Sequence, residues 1–269
     1  MRLQKQYLTK NDCYRAGRAI RPQGVMVHST GSNNPSVARY VPGDEEIGRN
    51  TYGNHWNQTN TEYKAKFDKK LNKCAHAFIG KWADGKVGTV QTLPWNRRGW
   101  HCGRGKNGSA NDTHISFEIC EDGLEDASYF KEVYQEAVEL TAYLCKEYNL
   151  DPLADGVVIC HQEGYRQGIA SNHGDVLHWF PKFGKTMDDF RADVARWMEG
   201  EDETVTYEQW KEYMDRYRRE LGTQPASQWA VPYINKAIDA GRMDEVNGSI
   251  ERPQDFVTRQ ELATVVSNL

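Results

Sequence analysis

A short apolar run, Val157-Val158-Ile159-Cys160, stops at His161 and gives way to a glycine-punctuated loop carrying His173, Asp175 and His178. An uninterrupted run of this length, rich in β-branched residues, reads as a strand buried on both faces, so the fold needs a covered sheet. The arrangement occurs a second time. Gly24-Val25-Met26-Val27 is apolar, His28 closes it, and Ser29-Thr30-Gly31 follows as a turn. Two strands that each deliver a histidine at the C-terminal edge of one sheet can put both rings on a single metal ion. Two separate histidines, each satisfied by backbone hydrogen bonds, fit the same spacing. Imidazole nitrogens with a carboxylate oxygen suit Zn²⁺, whose catalytic sites usually keep three protein ligands and one open position.

The rest of the first 200 residues supplies the sheet and its cover. Cys74–Ile79 reads as a strand, Asp84-Gly85 as a hairpin turn, and Lys86–Gln91 as the returning strand. His114–Cys120 alternates, with Phe117 and Ile119 on one face and His114, Ser116 and Glu118 on the other. A carboxylate in mid-strand is costly to bury unless it is paired or used. Apolar residues at Val133, Ala137, Leu140, Leu144 and Tyr148 predict one amphipathic helix over Tyr129–Tyr148, ended by Asn149 and Asp151-Pro152. A second helix is expected over Met187–Met198. Helices alternating with strands define an α/β domain on a mixed sheet. The first 22 residues read as a polar arm and Ser32–Asn60 as a long loop. Its Asn54-His55-Trp56-Asn57 either lies in a substrate groove or simply buries its tryptophan.

Composition removes several function classes. The net charge is −4 over 269 residues, with neither half basic, so a nucleic-acid partner held by charge is excluded. No segment approaches the roughly 18 apolar residues of a membrane span. The N-terminal residues lack a signal-peptide core, which predicts a protein kept in the cytosol until something releases it. The six cysteines form no CxxC pair and read as reduced thiols. Cys102 and Cys160 each adjoin a histidine, yet Cys160 should face away from whatever His161 binds, because strand neighbours point to opposite faces.

Five short motifs occur in a recognisable order: MVHST, AHAFIG, RGWHCG, NDTHISFEICED and HQE…SNHGD…WF. Together they resemble the zinc-dependent type 2 N-acetylmuramoyl-L-alanine amidases, relatives of peptidoglycan recognition proteins and phage T7 lysozyme. The resemblance covers roughly residues 20 to 198. It implies a mixed central β-sheet flanked by helices, and hydrolysis of the amide between N-acetylmuramic acid and L-alanine in bacterial peptidoglycan. By the same resemblance His28 and His161 match two zinc ligands, and Glu118 matches the catalytic acid/base. The third ligand lies among Asn172, His173 and Asp175. A neutral amide is a poor zinc ligand, so Asp175 is assigned, with His173 the alternative. His173 otherwise falls where the family carries a side chain that polarises the substrate carbonyl. Some relatives have a tyrosine just before the second-strand histidine, His76; here that residue is Ala75, which leaves the proton transfer to Glu118. His76 itself, a lone histidine on a strand, reads as structural. A phage or prophage endolysin is the expected setting. The alternative is a recognition protein that binds peptidoglycan without cutting it, and retention of the ligand set and Glu118 argues for the enzyme.

Beyond the charged stretch Gly200–Thr204 the pattern becomes purely helical, with helices expected at 207–221, 227–240 and 259–268. The chain therefore divides into a catalytic domain, 1–200, and a small helical module, 204–269. Within the module, residues 228–263 resemble one S-layer-homology repeat, with Glu251 in place of the usual aromatic before Arg252-Pro253. A single repeat buries little apolar surface alone, so the module is expected to attach to the wall or to form a homodimer.

Overall fold

Residues 1–200, 207–244 and 253 are described by the computed structural model. The chain separates into two units, Met1–Asp202 and Glu203–Leu269. In chain order the first unit comprises β1 (Leu3–Lys5), α1 (Asp12–Ala16), β2 (Gly24–Asn33), α2 (Asn60–Phe67), β3 (Ala77–Lys81) and β4 (Val87–Gln91). It continues through β5 (His114–Glu121), α3 (Ala127–Tyr148), β6 (Val158–Cys160), α4 (His161–Gln167) and α5 (Met187–Glu199). The second unit holds α6 (Tyr207–Gly222) and α7 (Val231–Asp239) among the described residues. A helix expected at 259–268, and most of the S-layer-like stretch beyond Asp244, lie outside the described residues. Among the described residues no helix is long and apolar enough to cross a membrane.

The strands form one mixed sheet in the order β1-β4-β3-β5-β2-β6. Only the β3–β4 hairpin is antiparallel; the other pairings are parallel. Strand alternation sorts the side chains. Val25, Val27, Ile115, Phe117 and Ile119 enter the core beneath α3 and α5, where Phe130, Tyr134, Trp179, Phe180 and Phe190 pack. Met26, His28, His114, Ser116 and Glu118 take the opposite face. That face is covered by α4 and by the long 34–75 segment, whose Tyr40, Trp56 and Leu71 cluster on Phe78. Helix α3 is amphipathic as its 3.6-residue spacing requires, with Asp126 accepting from the backbone N–H groups of Ser128 and Tyr129 at its start. Asn149 ends it in the left-handed conformation, φ 53°.

Two expectations need correction. The N-terminal residues are more than an arm, since β1 adds an edge strand beside β4. Backbone N–H of Arg2 donates to the buried Glu136 of α3, whose carboxylate also accepts from Thr89 Oγ1 at 2.7 Å. The second correction concerns His161, which opens a helix rather than a loop. Glu163 Oε2 accepts from the backbone N–H of Cys160 at 2.9 Å and ties off the strand as α4 begins. Gly164 lets this helix lie close on β2, because a Cβ there would stand 2.7 Å from Met26 Cε.

Leu140 sits fully buried where α3 meets the sheet. Its replacement by alanine should cost ~2–5 kcal/mol, the range for a leucine truncated in a packed core. Urea unfolding of Leu140→Ala against the parent chain measures it, and a loss within the error of that method would contradict the packing described.

Candidate metal centre

Strand register builds the site. Parallel pairing of β2 with β6 runs Val25↔Val158, Met26↔Ile159, Val27↔Cys160, so the next residues, His28 and His161, emerge side by side. On its other edge β2 pairs with β5, and His28 is registered against Glu118. Three chemistry-bearing residues thus share one row across β5, β2 and β6, all on the face away from α3. The chain then passes through α4 and returns Asp175 to this row from a loop.

Within the row, Asp175 Oδ2 lies 2.9 Å from His28 Nδ1, and the two Nδ1 atoms of His28 and His161 are 3.2 Å apart. Asp175 Oδ1 is 3.7 Å from His161 Nδ1. Ligands bonded tetrahedrally at zinc-like distances stand about 3.3 Å from one another; the two imidazole nitrogens have that spacing, and an Asp175 oxygen lies near each of them. His28, His161 and Asp175 together can hold a metal ion. Their protonation suits one as well. Burial lowers the pKa of His28 against the opposing pull of Asp175. Burial works to raise the Asp175 carboxyl, but hydrogen bonds from His161 and His28 overcome it and hold it well below the usual carboxylate range. A neutral imidazole and an ionised carboxylate are the forms a metal takes.

The triad forms one wall of a cavity of about 340 Å³ that also reaches Trp56, Lys73, Trp100, Glu118 and His173. Glu118 keeps part of its surface open to this groove and makes no hydrogen bond within the described residues. Burial, reinforced by the charge of Asp175, raises its pKa well above the ordinary glutamate value, with Lys73 opposing. His173 is exposed at the groove's mouth, its ring centroid 4.8 Å from that of His161. Trp56 answers both readings of its loop: it is buried and it lines the groove.

Other histidines have other work. His76 is fully buried; its Nδ1 accepts from the backbone N–H of Ser116 at 3.0 Å and its Nε2 donates to the Arg97 carbonyl at 2.6 Å. His178 stands apart from the triad and pairs with the buried Glu121 at 3.0 Å, pinning the loop that carries Asp175. Cys160 faces the α3 side of the sheet, away from the triad, and Cys102 packs beneath the groove beside Met26 and Ile159. All six cysteines are free thiols. Sequence reasoning gave no role to His101 or Ser171, which lie against the outer nitrogens of His28 and His161 at 3.0 and 3.3 Å. Both occur in loops without periodicity; the sequence signal for each was its place in a motif, His101 in RGWHCG and Ser171 in SNHGD.

A solved structure shares this architecture. The hydrolase AmiA of Staphylococcus aureus, solved with its ligand, superposes with a TM-score of 0.50 at 17% identity, covering 78% of this chain and 86% of that one. A mutant endolysin from Bacillus subtilis gives 0.45 at 22% identity over 72% of this chain and 99% of that one. Among curated proteins, the N-acetylmuramoyl-L-alanine amidase CwlA of Bacillus sp is 38% identical over 74 residues. That alignment spans only 28% of this chain and 28% of the relative. The family model for N-acetylmuramoyl-L-alanine amidase (Amidase_2) matches residues 18–176, more than half of the chain and inclusive of the whole triad. The chain belongs to this family.

His76 generates a pH-dependent contribution to stability. Burial lowers its pKa from 6.5 to about 4, so the folded state favours the neutral ring. Its contribution is complete above pH 6.5 and is lost as the pH falls toward 4, amounting to ~3 kcal/mol at most. The stability difference between the metal-free parent and His76→Gln should therefore narrow over that interval in urea unfolding. A difference independent of pH from 7 to 4.5 would contradict the assignment.

Proposed function

We propose that the chain is a zinc amidase that cleaves peptidoglycan between the lactyl group of N-acetylmuramic acid and the L-alanine of the stem peptide. The observation that carries this reading is the row itself: a carboxylate with a raised pKa, registered beside the first of three metal-competent donors, in an open groove. His28 and His161, each through Nδ1, and the Asp175 carboxylate would hold the zinc. When bound there, the ion lowers the pKa of water and polarises a carbonyl.

Glu118 supplies the proton movement. Its carboxylate, free of hydrogen bonds among the described residues, takes a proton from the attacking water and returns it to the departing amide nitrogen as the C–N bond breaks. A raised pKa serves both halves, because the group must accept a proton and then give it up. His173, at the groove mouth, donates a ring N–H to the oxygen that gains negative charge during attack. Ala75 is buried and carries no hydroxyl, so no phenol stands at that position. Trp56 and Trp100 provide flat apolar walls on which the substrate can lie.

The setting follows from the substrate. An enzyme with this specificity acts on the cell wall, and the endolysin role is the one proposed here, with release from the producing cell preceding lysis. The helical module is assigned to wall attachment or self-association rather than to chemistry, since the described residues that line the groove belong to the first unit. Exposed aromatic side chains on the described part of that module, Trp210, Trp229 and Tyr233, support a contact role.

Variants separate the roles. Asp175→Asn should lose zinc, whereas His173→Ala should retain it and turn over more slowly; the reverse pattern would make His173 the ligand. Glu118→Gln should keep fold and zinc while losing about 10²-fold or more in turnover of a soluble muropeptide. Near-parent turnover in that variant contradicts the mechanism, and a parent chain that binds muropeptide without cutting it is a recognition protein instead.

A further inference from the structure

The segment Trp100–Gly103 reaches both histidine ligands from behind. His101 Nδ1 lies 3.0 Å from His28 Nε2. Ser171 Oγ lies 3.3 Å from His161 Nε2 and donates in turn to the Cys102 carbonyl at 3.0 Å. The segment is itself fixed from below. The fully buried Asn111 accepts through Oδ1 from the backbone N–H groups of His101 and Cys102 at 2.7 and 3.3 Å, and donates to the Gly103 carbonyl at 2.8 Å.

A neutral imidazole has one ring hydrogen, and where it sits decides whether the ring can bind a metal. On His28 Nδ1 the hydrogen would point at Asp175, 2.9 Å away, and occupy the lone pair a metal needs. On Nε2 it has an acceptor only if His101 offers an unprotonated Nδ1. His161 faces the same choice, with Ser171 Oγ as the acceptor for its Nε2 hydrogen. We propose that His101, assisted by Ser171, is a positioning residue that holds the metal-ligand histidines in the Nε2–H form with Nδ1 free. This inference rests on the zinc-amidase reading and adds to it a role for a side chain outside the ligand set.

The geometry gives His101 little else to do. Its Nε2 is buried with no hydrogen-bond partner among the described residues, so the ring is not there to anchor the fold from that side. Removing that nitrogen deletes a poorly satisfied polar group, whereas removing Nδ1 leaves the His28 N–H without an acceptor in a buried place. The loss should therefore fall on the metal site more than on the fold. Outer partners of metal-ligating histidines are worth about 10–100-fold in metal affinity.

Zinc affinity by chelator competition tests this on the full chain. His101→Phe keeps the ring's bulk and should weaken zinc binding by about 10–100-fold. His101→Asn, whose side-chain oxygen can occupy the place of Nδ1, should recover most of that loss; Ser171→Ala should weaken binding in the same direction through His161. Nitrogen-15 NMR of the zinc-loaded parent gives a second readout that needs no variant. It should show His101 neutral, hydrogen on Nε2, with Nδ1 coupled across the hydrogen bond to the His28 Nε2–H. Parent-like zinc affinity in His101→Phe, or a hydrogen on His101 Nδ1, overturns the proposal and leaves the zinc-amidase reading standing. A parent chain that takes up no zinc overturns both.

Discussion

Everything in the site depends on the register of three parallel strands. Residues directly across a ladder share a face, and a slip of one residue turns every side chain over. Pairing His28 with Glu118 on one side, and placing His161 one step beyond the Val27–Cys160 pair on the other, sets a carboxylate and two imidazoles in line. The register is enforced on the opposite face, where Val25, Val27, Phe117, Ile119, Val158 and Cys160 bury against α3 and α5. A slip would put those apolar groups into the groove and the histidines into the core. The hydrophobic layer therefore fixes the chemistry without touching it.

Asp175 is the exception, because it comes from a loop and no ladder places it. The chain around it is held at both ends instead. Upstream, α4 is tied to α5 by the Glu163–Arg191 pair, whose guanidinium also donates to the Val158 carbonyl. Downstream, Trp179 and Phe180 are completely buried against Phe130, and His178 pairs with Glu121 at the end of β5. A loop clamped in this way can present a carboxylate with strand-like precision. That matters because a metal ligand displaced by an ångström is no longer a ligand.

Much of this was legible in the sequence, for physical reasons that can be named. The apolar run before His28 and the alternation through His114–Cys120 report side-chain burial directly, so β2, β5 and the groove-facing side of Glu118 follow from pattern alone. The span of α3 follows from its 3.6-residue period. The family's motif order, rather than any periodicity, connected His28 and His161 to Asp175. What stayed hidden was set by tertiary contact. Strand β1 has only three residues and exists because β4 offers an open edge. Helix α4 follows its strand with no intervening turn residue, and Glu163 as its cap is visible only once the helix is known. His101 and Ser171 owe their places to a fold in which two loops meet behind β2, a relation no local pattern encodes.

The central claim is which bond the groove cuts. Purified peptidoglycan digested by the zinc-loaded protein, with the soluble products analysed by mass spectrometry, addresses it directly. The predicted products are stem peptides beginning with a free L-alanine amino group, and glycan strands whose muramic acid keeps a free lactyl carboxylate. Peptides still joined to muramic acid, with cuts in the glycan or between peptide residues, would contradict the account, as would no release by the zinc-loaded chain.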